Sequence, residues 1–204
     1  MSKYSIIVPA FNAADRINKT LDSIRYQTFD DYELIVVCDS CEDNTAEIAR
    51  KYTRKVFEVD FGNDGLARSK GLDEATGEWI MFLDDDDWWL HPLVLQSIDE
   101  RLNKIGDETD VLVFAFYWNG VGYTPPISNG NILPNVWSKV WRRSFVGDTR
   151  FPNIEHESDL HFTNAVLAKN PRVRFWDNML LFYNYMRPGS QTYNMTMEGV
   201  GYDT

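Results

Sequence analysis

Short apolar runs and helix-period patterns alternate through the first 118 residues, and no other feature restricts the possible folds as much. Tyr4 to Pro9 reads as a strand, Ala13 to Gln27 as a helix with Ile17, Leu21 and Ile24 on one face, and Glu33 to Cys38 as a second strand. A helix after Asn44 carries Ile48, Ala49 and Tyr52, and Val56 to Val59 is a third strand. A loop with Gly62 and Gly65 leads to a short helix with Ala67, Gly71 and Ala75 on one side, then to an apolar strand, Trp79 to Leu83. A helix with Val94, Ile98 and Leu102 precedes the strand from Val111 to Trp118. Such alternation predicts an α/β fold with a doubly wound, mainly parallel sheet. Ligands of these sheets bind just beyond the carboxyl ends of the strands.

The strand Trp79 to Leu83 delivers four consecutive aspartates, Asp84 to Asp87, to that edge. Two carboxylates about 4 Å apart repel by about 4 kcal/mol at an effective dielectric near 20, so four beside an apolar strand call for a compensating cation. Magnesium or manganese fits, because either keeps coordination positions open for substrate phosphates. The competing reading is a solvated acidic turn, and the position at a strand end favours the metal.

From Asn119 to Asn135 the pattern breaks into Gly, Pro and Asn, which predicts a loop across the mouth of the site. WSKVWRRSF, an acidic helical start at Glu155 to Asp159 and an aromatic stretch from Phe175 to Tyr185 then suggest a small subdomain on the same core. The expected division is therefore an α/β region over 1–118 and an appended region over 119–204.

The chain has 44% hydrophobic and 14% aromatic residues, which excludes disorder, and no apolar stretch reaches the roughly 18 residues of a membrane span. MSKYSIIVPAFN lacks the length and cleavage pattern of a signal peptide, so a cytoplasmic location is expected. A net charge of -11 disfavours extended contact with nucleic acid or anionic lipid. Lys139, Arg142 and Arg143 form the local exception, a patch able to grip phosphate. Cys38 and Cys41 form a CxxC with no second pair to complete a zinc site, and His91, His156 and His161 lack ligand spacing.

After the first strand the chain reads VPAFNAAD, with neither a GxGxxG turn nor a GxxxxGK[ST] phosphate loop, and no GxSxG elbow occurs. Phosphates must then be held by metal and side chains. A sugar-phosphate nucleotidyltransferase should also show a glycine-rich basic loop here, which counts against that alternative.

SIIVPAFNA, QTFDDYELIVVCDSCEDNT and NDGLARSKGLDEATGEWIMFLDDDDWW together resemble the successive motifs of glycosyltransferase family 2, with weaker likeness through WSKVWRRSF and YNYMRPGSQT. The resemblance implies a GT-A fold, a nucleotide-sugar donor, a divalent metal (manganese or magnesium) and inverting displacement onto the hydroxyl of a glycan, a lipid-linked saccharide or another acceptor. Residues 1–118 become the nucleotide-sugar-binding region and 119–204 the acceptor side. By the same resemblance Pro9, Phe11 and Asn12 border the donor, with the Phe11 ring stacked on the base. Asp39 accepts the imide N–H of uracil, and Arg68 lies near base and phosphates. Asp84 and Asp86 form a DxD that meets the donor, with Asp86 and Asp87 as metal ligands, and Trp88 and Trp89 wall the sugar pocket. The general base falls in FPNIEHESDLHF, where Asp159 is the first choice and Glu157 the alternative; dipole stabilisation of a helix start is the competing reading. Cys38 and Ser40 stand where the family commonly has Asp and Gly. The chain ends soon after YNYMRPGSQT, without membrane-associating extensions, so a soluble or partner-delivered acceptor is expected. The non-enzymatic alternative is a degenerate nucleotide-sugar-binding partner protein.

Overall fold

The computed structural model describes residues 2–119, 121–128 and 131–184. In chain order the elements are β1 (Tyr4–Ala10), α1 (Ile17–Arg25), β2 (Tyr32–Asp39), α2 (Thr45–Ala49), β3 (Val56–Val59), α3 (Asp64–Glu74), β4 (Trp79–Phe82), β5 (Trp88–Trp89) and α4 (Val94–Ile105). They continue with β6 (Val111–Trp118), β7 (Gly122–Thr124), β8 (Ile127–Ser128), β9 (Asn131–Ile132), β10 (Lys139–Arg142), α5 (Arg143–Val146), α6 (Ser158–Leu167) and β11 (Val173–Tyr183).

The main sheet runs β3-β2-β1-β4-β10-β6-β11-β5, with β7 added on β6. β1 pairs in parallel with β2 and β4, β2 with β3, and β6 with β11; β10, β5 and β7 are antiparallel insertions. Every residue of β1 is buried, as expected of a strand covered on both faces. Alternate side chains feed two cores. Ile6, Val8 and Val36 pack with α1, α2 and α4 through Ile17, Leu21, Ala49 and Ile98. Ile7, Ile35, Val37 and Phe82 pack on the other face with Ala67 of α3 and Phe162 and Val166 of α6.

Two glycines set close approaches on that second face. A Cβ on Gly71 would sit 2.3 Å from Ile7 Cγ2, so glycine lets α3 lie directly on β1. A Cβ on Gly65 would sit 2.9 Å from Ser158 Cβ, so the N-termini of α3 and α6 meet.

Three sequence expectations need correction. The segment Asn119 to Asn135 forms β7 and the antiparallel pair β8 and β9 in its described residues rather than a plain loop. The basic patch does not exist as a surface. β10 threads between β4 and β6, so Lys139 is wholly buried and donates to Leu133 O (2.7 Å), Asn135 Oδ1 (3.1 Å) and Asn135 O. Arg142 binds Glu78 and the Thr109 carbonyl, and Arg143 donates to Gly77 O. The helix expected from Ala13 begins only at Ile17; a turn precedes it, in which Ala13 O accepts Arg16 N–H (3.0 Å) and Ile17 N–H (2.9 Å) while Ala13 N–H and Ala14 N–H donate to Thr45 Oγ1 and Asp43 Oδ2. Of YNYMRPGSQT, everything after Asn184 lies outside the described residues.

Candidate functional site

The carboxyl ends of β2, β1 and β4 open side by side, roughly one strand spacing of 4.8 Å apart, and put Asp39, Phe11 and the aspartate turn on one edge. Asp84 to Asp87 form a tight turn closed by Asp87 N–H on Asp84 O (3.1 Å), and the four carboxylates then part company. Asp84 receives Arg68 Nη2 at 2.7 Å. Asp85 takes Arg16 through Nε (2.9 Å) and Nη2 (3.0 Å) and accepts Phe11 N–H at 3.2 Å. Asp86 is half-buried. Asp87 is fully buried, with Oδ1 accepting Asn184 N–H at 2.8 Å and Oδ2 buried without a hydrogen-bond partner.

On the base side, Phe11 is 58% exposed, which removes core packing as the reason for an aromatic ring there. Pro9 is buried in β1, and Asn12 adopts a left-handed φ of 42° while its Oδ1 accepts Glu42 N–H. Asp39 is a nest acceptor: Oδ1 takes Phe61 N–H (2.7 Å) and Gly62 N–H (3.0 Å), and Oδ2 takes Asn63 N–H (2.7 Å). A carboxylate has about four acceptor positions, so Oδ2 can receive one further donor. Phe61, 45% exposed on the neighbouring strand end, was missed by sequence reasoning; an aromatic closing a strand beside Asp39 was the available signal.

On the opposite side, α6 packs against β4 through Phe162, stacked on Phe151 at 4.1 Å between centroids. This puts Asp159 in the first turn of α6, where its Oδ2 accepts Val136 N–H at 3.2 Å. Asp159 Oδ1 has no hydrogen-bond partner and lies 3.7 Å from Arg68 Nη1. Glu157 is exposed, in a left-handed conformation with φ 62°, just outside the helix. Arg68 is 5% exposed, bonded to Asp64 (2.5 Å) and Asp84 and facing Asp159. Trp88 and Trp89 do not line an open pocket: Trp89 is buried, and Trp88 is covered by Lys19 (3.0 Å) on one face and Phe182 (4.0 Å) on the other. The thiols of Cys38 and Cys41 are free, and Cys41 Sγ donates to Ala10 O. His91 caps the Leu93 N–H, while His156 and His161 are exposed.

Burial dominates the electrostatics. It pushes Asp84 up to about 7, helped by repulsion from Asp159 and Asp86 and opposed by Arg68. Burial and the Asp84 and Asp86 charges push Asp87 well above the ordinary carboxylate range, and burial raises Asp159 despite Arg68. An excess of buried negative charge and an orphaned carboxylate oxygen suit a hard divalent cation with oxygen ligands. Among the described residues no three His, Cys, Asp or Glu side chains form a closed cage, so a cation here would complete its shell with phosphate and water.

The fold is that of a GT-A domain. Residues 5–170 match the family model described as Glycosyl transferase family 2, and the chain belongs to that family. EpsH of Bacillus subtilis (strain 168) is 30% identical across 78% of this chain and 54% of its own length. The poly(ribitol-phosphate) beta-N-acetylglucosaminyltransferase TarS of Staphylococcus aureus (strain Mu50 / ATCC 700699) is 35% identical across 93% of this chain and 36% of TarS. The crystal structure of S. aureus TarS 1-349 in complex with UDP-GlcNAc superposes with a TM-score of 0.80 at 25% identity, covering 94% of this chain and 60% of that one. Mannosyltransferase PcManGT from Pyrobaculum calidifontis, in complex with GDP-Man and Mn2+, shares the fold at a TM-score of 0.74 and 17% identity, covering 96% of this chain and 60% of that one. The chain thus spans about half of EpsH and about a third of TarS. No helix among the described residues is long and apolar enough to cross a membrane.

Proposed function

We propose that this chain carries the donor-binding and catalytic core of a metal-dependent, inverting glycosyltransferase that moves a sugar from a uridine diphosphate donor to an acceptor hydroxyl. The observation that carries this reading is Arg68, which bonds Asp84 at 2.7 Å and faces Asp159 at 3.7 Å, so the acidic turn and the helical carboxylate meet on one guanidinium. Phe11 offers the exposed ring on which a base stacks, and Asp39 Oδ2 the acceptor for an imide N–H. Asp86 and Asp87 are the residues that would hold manganese or magnesium, which would neutralise the developing diphosphate charge. Asp159 removes the acceptor proton. Its elevated affinity for protons, set by burial, suits a base working near neutral pH, and Val136 N–H fixes the carboxylate's orientation. The Arg68 guanidinium keeps Asp84 and Asp159 together without donating a proton itself.

The likeness to TarS makes UDP-N-acetylglucosamine the first donor to test. A panel of nucleotide sugars incubated with manganese and no acceptor should show slow release of uridine diphosphate from at least one UDP-sugar, and none with chelator. A folded chain that releases nucleotide from no donor would leave only a binding module.

A further inference from the structure

The third role in the aspartate run belongs to Asp85. The residue is 9% exposed, and its carboxylate meets Arg16 by two parallel bonds, Nε to Oδ1 at 2.9 Å and Nη2 to Oδ2 at 3.0 Å. The same guanidinium donates to two main-chain carbonyls, Nη2 to Phe11 O at 2.9 Å and Nη1 to Asn12 O at 2.8 Å. Asp85 Oδ2 closes the circuit by accepting Phe11 N–H at 3.2 Å. Both polar groups of the Phe11 main chain are thus bonded to one ion pair, which joins residues 69 apart in sequence.

A partly buried ion pair is a poor device for stability alone, because desolvation offsets most of its attraction. What a bidentate guanidinium supplies is direction, a planar fork with several donors at fixed angles. The direction is needed here. Asn12 is held at a left-handed φ of 42° that most residues avoid, and Phe11 presents its ring to solvent with no core to seat it. Asp85 lies next to Asp86, so the residue bonded to the Phe11 main chain belongs to the aspartate turn itself.

We propose that Arg16 and Asp85 are positioning residues that set the distance and angle between the Phe11 platform and the aspartate turn, so that a nucleoside diphosphate meets both at once. The proposal rests on the donor-site reading given above. A ligand spanning both ends needs that register; one that engages the turn alone does not.

Calorimetry on the full chain, with manganese, separates the two by using uridine diphosphate and inorganic pyrophosphate as probes. Asp85→Asn keeps an acceptor for Phe11 N–H but loses the charge, and Arg16→Gln loses the fork. Each should weaken uridine diphosphate about tenfold while changing pyrophosphate by less than about twofold, with melting monitored to confirm folding. The double variant should be no worse than the weaker single, because the two side chains act as one unit. Arg16→Lys is the milder variant: it retains charge and bulk but not the fork, and should still lose most of the nucleotide affinity. Equal losses for both probes, or none for either, overturn the proposal. A wild type that binds neither probe overturns the donor-site reading and this proposal together.

Discussion

Asp159→Asn separates catalytic role from structural role. The carboxylate lies 3.7 Å from Arg68 Nη1, a gross attraction of about 4 kcal/mol at an effective dielectric near 20. Burial nevertheless wins, since the net effect of the surroundings is to raise the Asp159 pKa. A folded-state pKa above the unfolded value means that the ionised carboxylate opposes folding. The penalty is absent in acid, grows as pH rises past the ordinary carboxylate range and is complete above the folded pKa. Removing the charge with an isosteric amide should therefore leave the melting temperature at pH 7 unchanged or raise it. Transfer should fall roughly 10²-fold or more, the usual contribution of a general base, with donor affinity nearly intact. The assay is kcat/KM for transfer beside calorimetric donor binding and thermal melting of the same preparations. The wild-type profile should lose activity on the acid side at a pH above the ordinary carboxylate range. Glu157→Gln, at an exposed position outside the helix, should cost only a few-fold. Transfer by Asp159→Asn within about threefold of wild type refutes the assignment, and loss confined to Glu157→Gln exchanges the two roles.

Asp86→Ala should abolish most metal-dependent nucleotide binding with little change in melting, because the residue is only half-buried. Asp87→Ala should also lower the melting temperature, by leaving the Asn184 N–H without its acceptor; equal melting of the two variants contradicts their separation. Asp39→Asn should erase preference for uridine over cytidine diphosphate in competition binding and cost about 1–3 kcal/mol in denaturant unfolding, since an amide cannot serve all three loop N–H groups as well. Glu33 is a remote control on stability. Burial opposes its ionisation, but Lys55 Nζ at 2.5 Å with Ser5 and Thr76 as donors holds it down at about 2. Its stabilisation is complete above its ordinary value of 4.5 and is lost as pH falls towards 2, so Glu33→Gln should cost about 1–2 kcal/mol at pH 7 after screening, and progressively less in acid.

Strands β1 to β4 and β6 were legible because each carries a local signal, whereas β11, parallel to β6, was read only as an aromatic stretch. Val56–Val59 and Val111–Trp118 fall at their expected limits, bounded by charged or turn residues and filled with β-branched and aromatic side chains. The antiparallel strands were not legible. β10 is four residues between Val136 and an immediately following helix, and only its pairing with β4 and β6 makes it a strand. That missing insertion is why Lys139, Arg142 and Arg143 looked like a patch: three cations close in sequence point to separate partners once the segment is threaded through the sheet.

The site was legible as composition and not as wiring. Four adjacent aspartates announce charge at a strand end, but sequence treats them as equivalent. Their partners, Arg68, Arg16 and Asn184, lie 16, 69 and 97 residues away and differentiate them. The resemblance gave Arg68 a place near the nucleotide and Trp88 one near the sugar, but motif position says nothing of burial; packing sets Arg68 among three carboxylates and Trp88 between Lys19 and Phe182.

The most direct test is calorimetric titration of uridine diphosphate into the full chain at pH 7, with manganese and again with chelator. Micromolar or tighter binding, about -8 kcal/mol, is expected with the metal, and a loss of at least roughly tenfold without it. Equal affinity in both conditions would contradict a metal at the aspartate turn, and absence of binding in both would contradict a nucleotide-sugar site at this edge of the sheet.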